Sequence, residues 1–176
     1  MTQLSDFSSE EIGSIVALPY RVGMHVSFAE DEDGEQDDEL EMRALEACIR
    51  EIAKNKAGLV AEIASEVLNR KAEWEKWSDG VFNIEPICKQ ALLTLEKQAT
   101  RDESKEYIRM NIEIAHAVAQ AYGEFGEEKT EPGFFGKLMG NIVERMNSDE
   151  SSHPMNVSAA EESAIARIKS ALTLSE

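Results

Sequence analysis

Apolar residues return along most of this chain at intervals of three and four, the period of amphipathic helices rather than of strands. Ser8-Ser9-Glu10-Glu11 has capping-box spacing, so a helix is expected to start there, behind a frayed lead at 1–8. Ile12, Ile15 and Val16 supply its apolar face, and Pro19 is expected to break it, kink it or open a new helix. From Pro19 onward Val22, Met24, Val26, Phe28 and Ala29 are apolar on more than one face, as a central buried helix would be. Leu40, Ala44, Leu45, Cys48, Ile49 and Ile52 mark the next helix, with Gly58 ending or bending it. Val60, Ile63, Ala64, Val67, Leu68, Trp74 and Trp77 predict one helix from about Leu59 to Trp77, with both tryptophans in the core or at its edge. After a turn at Ser78-Asp79-Gly80, a short helix is expected from about Glu85, Pro86 fitting its first turn. A second central helix follows, capped by Asp102, carrying Ile108, Ile112, Ala115, Ala119 and Tyr122, and ending at Gly123. Phe134, Phe135, Leu138, Met139, Ile142, Val143 and Met146 lie at amphipathic-helix spacing within a polar stretch. A capping box, Ser158 to Glu161, opens the last helix, with Ile165, Ile168 and Leu172 inward.

The expectation is an all-α fold: a compact bundle of about seven helices in a single domain, 1–176, with an insertion at about 127–157. The composition agrees, being rich in Ala, Glu, Leu and Ile and poor in aromatics and Pro.

One stretch breaks the pattern. Eight of the ten residues from Glu30 to Glu39 are acidic, none is basic, and Gly34 sits among them. A shorter echo, Gly123-Glu124-Phe125-Gly126-Glu127-Glu128, follows the second central helix. Asp38-x-x-Glu41 has capping-box-like spacing after the first of these turns. Setting 18–34 against 110–126 without gaps pairs Val26 with Val118, Ala29 with Ala121, Glu32 with Glu124 and Gly34 with Gly126. Beyond the turns, Asp38-x-x-Glu41 pairs with Ser158-x-x-Glu161, and Leu45 with Ile165. Each half therefore reads as apolar helix, acidic glycine turn, capping box and amphipathic helix, an internal two-fold repeat.

Charge narrows the function. A formal charge of −17 excludes a general nucleic-acid binder, which needs a basic face, and argues against docking on anionic lipid. It favours cations or basic partners. No apolar run reaches the ~20 residues of a membrane span. The first residues are polar and acidic, unlike a signal peptide, so a cytoplasmic location is expected. Cys48 and Cys88 are expected as reduced, partly buried thiols.

Clustered carboxylates on a glycine turn suit a hard divalent cation such as Ca²⁺, which takes six to eight oxygen ligands. One turn cannot easily aim all its carboxylates at a point. Two turns side by side could share the work, with Asp31, Asp33, Glu35 and Glu41 from one and Glu124 and Glu127 from the other. The pattern is not an EF-hand. With Gly34 at loop position six, Ala29 and Leu40 would fall where oxygen ligands belong. The alternative is a solvated acidic face that meets a basic protein partner without metal. The 134–146 helix either covers the core or offers Phe134 and Phe135 to a partner. Lys137 and Arg145 are its only basic residues, and Gly133, Gly136 and Gly140 weaken it as a free-standing helix. His25, His116 and His153 have no zinc spacing, and the first two are expected in core or edge packing. No triad, P-loop or dinucleotide fingerprint is present, so no enzyme is expected.

The segments Phe28-Ala29-Glu30-Asp31-Glu32-Asp33-Gly34 with Asp38-x-x-Glu41, and Ala119-Gln120-Ala121-Tyr122-Gly123-Glu124 with Val157-Ser158-x-x-Glu161, resemble the TerB-like (tellurite-resistance protein B) domain family over roughly 12–175. The resemblance implies a compact helical bundle, divalent-cation binding and a role in tellurite or chemical stress response, with a protein partner in a stress-response or membrane-associated assembly. Tyr122 and Phe125 depart from it, standing where the second turn would carry acids.

Overall fold

The computed structural model describes residues 1–29, 35–125 and 157–174, with isolated positions at 140 and 144, and side chains over 42–120 within the second stretch. Its helices are α1 (Ser9–Ser27), α2 (Glu35–Asn55), α3 (Leu59–Asn69), α4 (Trp74–Trp77), α5 (Ile84–Glu96), α6 (Arg101–Phe125) and α7 (Ala159–Ala171). Short 3₁₀ turns lie at Leu4–Asp6, Lys71–Glu73 and Val81–Asn83. The described residues contain no strand, and the fold is an all-α bundle.

α1 begins at the Ser8 box: Ser8 Oγ accepts from Glu11 N–H, and the Glu11 carboxylate accepts from Ser8 N–H. It then continues as one helix through Pro19, so the proline neither breaks it nor opens a new helix. Proline has no N–H, so the carbonyl four residues earlier, on Ile15, loses its helical donor. The fully buried Tyr107 of α6 supplies a substitute, its hydroxyl donating to Ile15 O at 2.7 Å. The defect that sequence alone reads as a helix end is repaired from another helix.

Other boundaries also shift. The segment 59–77 is not one helix. The chain turns at Arg70, and the Trp74 indole N–H donates back to the Val67 carbonyl at 3.0 Å. The turn sets both tryptophans against Tyr20, with ring centroids 4.9 and 6.0 Å away. Gly58 does not end α2, which stops at Asn55. It precedes α3 with φ of 67°, a left-handed conformation that favours glycine. α2 starts at Glu35, so Asp38 lies inside the helix rather than capping it. Acidic residues suit a first helical turn as well as a cap. α6 is capped by a box at Thr100 and Glu103 rather than by Asp102: Thr100 N–H donates to Glu103 Oε2 at 2.9 Å and Glu103 N–H to Thr100 Oγ1 at 3.3 Å. It also runs through Gly123 to Phe125, since a glycine weakens a helix without stopping it. The lead at 1–8 is anchored rather than frayed. Phe7 is buried, Leu4 N–H donates to Glu62 at 2.7 Å, and Thr2 donates to both Glu103 oxygens at 2.8 Å.

The contacts fix the direction of every long helix. Thr2 meets Glu103 and Glu11 pairs with Lys97, whereas His25 meets Val81 at the other end of α1. α5 therefore runs antiparallel to α1. The short link at 97–100 returns α6 parallel to α1, as the Ile15–Tyr107 bond requires. α7 runs with α5: Arg167 pairs with Glu85 near the start of α5, and Leu174 lies beside Glu96 and Arg101. α2 returns against α1, with Leu45 so close to Gly23 that a Cβ there would lie 3.1 Å from Leu45 Cγ and closer still to its methyls. α3 rises again, from Glu62 beside Leu4 to Lys71 paired with Glu46. The bundle thus alternates up and down, and the ends of α1, α3 and α6 share one pole with the starts of α2, α5 and α7.

Candidate functional site

The pole that these helix ends share is the candidate site. α1 delivers the chain into the acidic run at 30–33, and α6 delivers it into Glu127 and Glu128. Because α1 and α6 are parallel, both acidic segments leave the same end of the bundle, and α2 and α7 start back from it. Glu35 and Glu41 lie on α2, at its first residue and in its second turn, about 9 Å apart along the axis. Glu124 lies in the last turn of α6, which has no basic residue there. Asp31, Asp33, Glu127, Phe134 and Phe135 lie outside the described residues, as does most of the predicted 134–146 helix. Among the described residues no group of three or more His, Cys, Asp or Glu side chains is arranged to hold a metal ion.

The 70–83 connection forms a wall beside the end of α1. Phe28, the residue after α1, stacks on Phe82 with ring centroids 5.6 Å apart, and Phe82 is 69% exposed. Arg21 Nε donates to the Trp77 carbonyl at 3.0 Å, and Tyr20 shares a 2.9 Å hydrogen bond with Ser78. His25 sits beneath this wall. Its Nδ1–H donates to the Val81 carbonyl at 2.7 Å, which leaves Nε2 as the bare lone pair. That nitrogen is buried and finds no hydrogen-bond partner among the described residues. Burial lowers the His25 pKa, as does Arg167 of α7. The Val81 bond and Glu85 oppose the shift. Burial, aided by Lys169 of α7, pulls the pKa of His116 on α6 down to about 4. Both histidines were expected in core or edge packing, and both are found there.

A second polar centre lies deeper. Glu113 is fully buried, with Arg109 Nε at 3.2 Å and Lys56 Nζ at 3.6 Å, while its Oε2 finds no hydrogen-bond partner among the described residues. Sequence reading missed it because Glu113 falls between the apolar stripes of α6. The Arg109 to Glu113 spacing of i to i+4 was its only signal. Burial pushes the Cys48 thiol pKa well up, with Glu113 adding to the effect, and burial raises Cys88 to about 12. Both cysteines are free and buried, so neither is a poised nucleophile. Clefts lined by Leu92, Leu93, Ser170 and Thr173, and by Glu96, Arg101, Ser104 and Leu174, lie toward the opposite pole. No described helix is long and apolar enough to cross a membrane.

The chain matches no family model, and neither a curated protein nor a solved structure is detectably similar to it.

Proposed function

We propose that this chain is a non-enzymatic, divalent-cation-binding helical domain of the tellurite-resistance, stress-response type, resembling TerB and acting in the cytoplasm with a protein partner. One observation carries the reading. The parallel course of α1 and α6 puts the helix ends that lead into the two acidic segments at one pole, which supports a shared cation site drawing on Asp31, Asp33, Glu35, Glu41, Glu124 and Glu127. Glu124 adds to it. A carboxylate in the last turn of a helix opposes the helix dipole, and a cation beside it offsets that cost. Ca²⁺ is the first ion to try, since oxygen-only ligands suit it.

The test is thermal unfolding of chelator-treated protein in moderate salt, with Ca²⁺, Mg²⁺, Mn²⁺ or Zn²⁺ returned singly. A ligand of the native state contributes ~2.7 kcal/mol at a hundredfold excess over its dissociation constant. A selective rise for one ion, abolished by Asp31→Asn with Asp33→Asn, supports the site. Equal small rises for all four ions refute it and point to charge screening. A second reading is then favoured by the exposed Phe82 ring stacked on the partly buried Phe28 at the end of α1: a metal-independent module that receives a basic, amphipathic partner.

A further inference from the structure

α5 and α7 run side by side, and a cleft of about 260 Å³ opens between them, lined by Lys89, Leu92, Leu93 and Glu96 of α5 and by Ser170 and Ala171 of α7. It is smaller than the roughly 300–1,000 Å³ of small-molecule pockets, and of a size to take a protruding side chain. Such a side chain stands on its own rim: Leu93 is 54% exposed. Lys89 and Glu96 flank Leu92 and Leu93 along the same rim, two helical turns or about 10.5 Å apart. No ion pair joins either of them to another described residue. The charges next to them are taken: Glu85 by Arg167 and Lys97 by Glu11. We infer that this rim is a self-complementary surface, on which a second copy of the chain packs α5 against α5, antiparallel, about a two-fold axis.

The spacing supplies the match. An axis crossing α5 between Leu92 and Leu93 sets Leu92 of one copy against Leu93 of the other. The same axis sets Lys89 opposite Glu96 of the second copy, and symmetry makes that contact twice. Leu93 of each copy then enters the cleft of the other, beside Leu92, Ser170 and Ala171. The cleft is level with this axis. Arg167 pairs with Glu85 near the start of α5 and Leu174 lies beside Glu96 near its end, so Ala171 falls opposite the middle of the helix. A parallel pairing would instead set lysine against lysine and glutamate against glutamate. The rest of the chain, at −17, opposes self-association by repulsion, and this face opposes it least. α5 and α7 together carry four acidic and three basic residues. A contact built on one helix and its cleft belongs at the small end of interfaces, below about 1,200 Å², so the pairing is weak and depends on concentration. The face lies toward the pole opposite the acidic segments, and the inference needs no cation there.

Sedimentation velocity of the full chain tests it, in chelator and low salt, from micromolar to millimolar protein. The mass should climb from one copy toward two. Lys89→Glu alone, or Glu96→Lys alone, sets like charges across the axis and should weaken self-association about tenfold or more. Lys89 is exposed and Glu96 partly so, and circular dichroism should show unchanged helix in both variants. The deciding arm is their mixture. Equal amounts of the two variants restore opposite charges at both contacts, so the mixture should form a dimer with one copy of each. Leu93→Asp should abolish pairing in every combination. A wild-type chain that stays monomeric to millimolar concentration overturns the inference. So does a dimer indifferent to both single substitutions, and so does a mixture no more associated than its components.

Discussion

The bond from Tyr107 to Ile15 makes a sharp claim about Pro19. In an uninterrupted helix the amide of residue 19 would donate to Ile15 O. Proline cannot, and the Tyr107 hydroxyl stands in. Tyr107→Phe removes one oxygen and leaves the ring in place. The Ile15 carbonyl is then buried without a donor, at a cost of about 1–3 kcal/mol. Pro19→Ala restores an N–H at position 19, so in that background the same Tyr107→Phe change should cost at least about 1 kcal/mol less. Urea unfolding followed by circular dichroism measures all four proteins, with the slope of stability against urea expected to stay constant. An equal cost of Tyr107→Phe in both backgrounds would refute the substitution of one donor for the other. The hydroxyl would then act through packing alone.

Two further predictions concern charge. Glu113→Leu should change stability by less than about 1 kcal/mol, because Lys56 and Arg109 are each about a third exposed and can turn to water. Replacing both cations by Met instead strands a fully buried carboxylate and should cost about 3–5 kcal/mol in urea unfolding. The reverse ranking would mean that the pair is net stabilising. Glu103 has its pKa lowered to about 2 by the Thr100 amide and by Thr2. A depressed carboxylate contributes stability above its ordinary value of 4.5 that is lost as pH falls toward 2. Glu103→Gln should flatten stability across that window and speed proteolysis near residues 1–7. An unchanged acid limb would argue that the contact is dispensable.

Much of the architecture was legible in the sequence because it rests on local rules. Apolar periodicity placed α1, α2, α5, α6 and α7, and the Ser8 and Ser158 boxes located two helix starts. Two of the misreadings share a cause: a long-range contact overrides a local signal. Pro19 is rescued by Tyr107, 88 residues on. The break after α3 is set by Trp74 and Trp77 reaching Tyr20. The Thr100 box was itself readable as T-x-x-E and was hidden by the neighbouring Asp102. Of the candidate site, composition gave the acids and the repeat suggested their pairing. That the helix ends leading into the two segments share a pole depends on the direction of α5, set by ties such as Glu11–Lys97 and His25–Val81 that no periodicity records. His25 and His116 were placed in packing, but the bond from His25 to the Val81 carbonyl joins residues 56 apart, out of reach of any local pattern.

The tryptophan cluster has an optical consequence. The chain has two tryptophans, and both indoles lie against Tyr20, one turn of α1 before His25. Intrinsic emission therefore comes from a single neighbourhood, at the wall of the pole where the acidic segments emerge. A spectral change on adding an ion would be a local signal from that wall. Comparing fluorescence with ellipticity thus gives, without any attached dye, a direct measure of whether the two sides of the bundle come apart together.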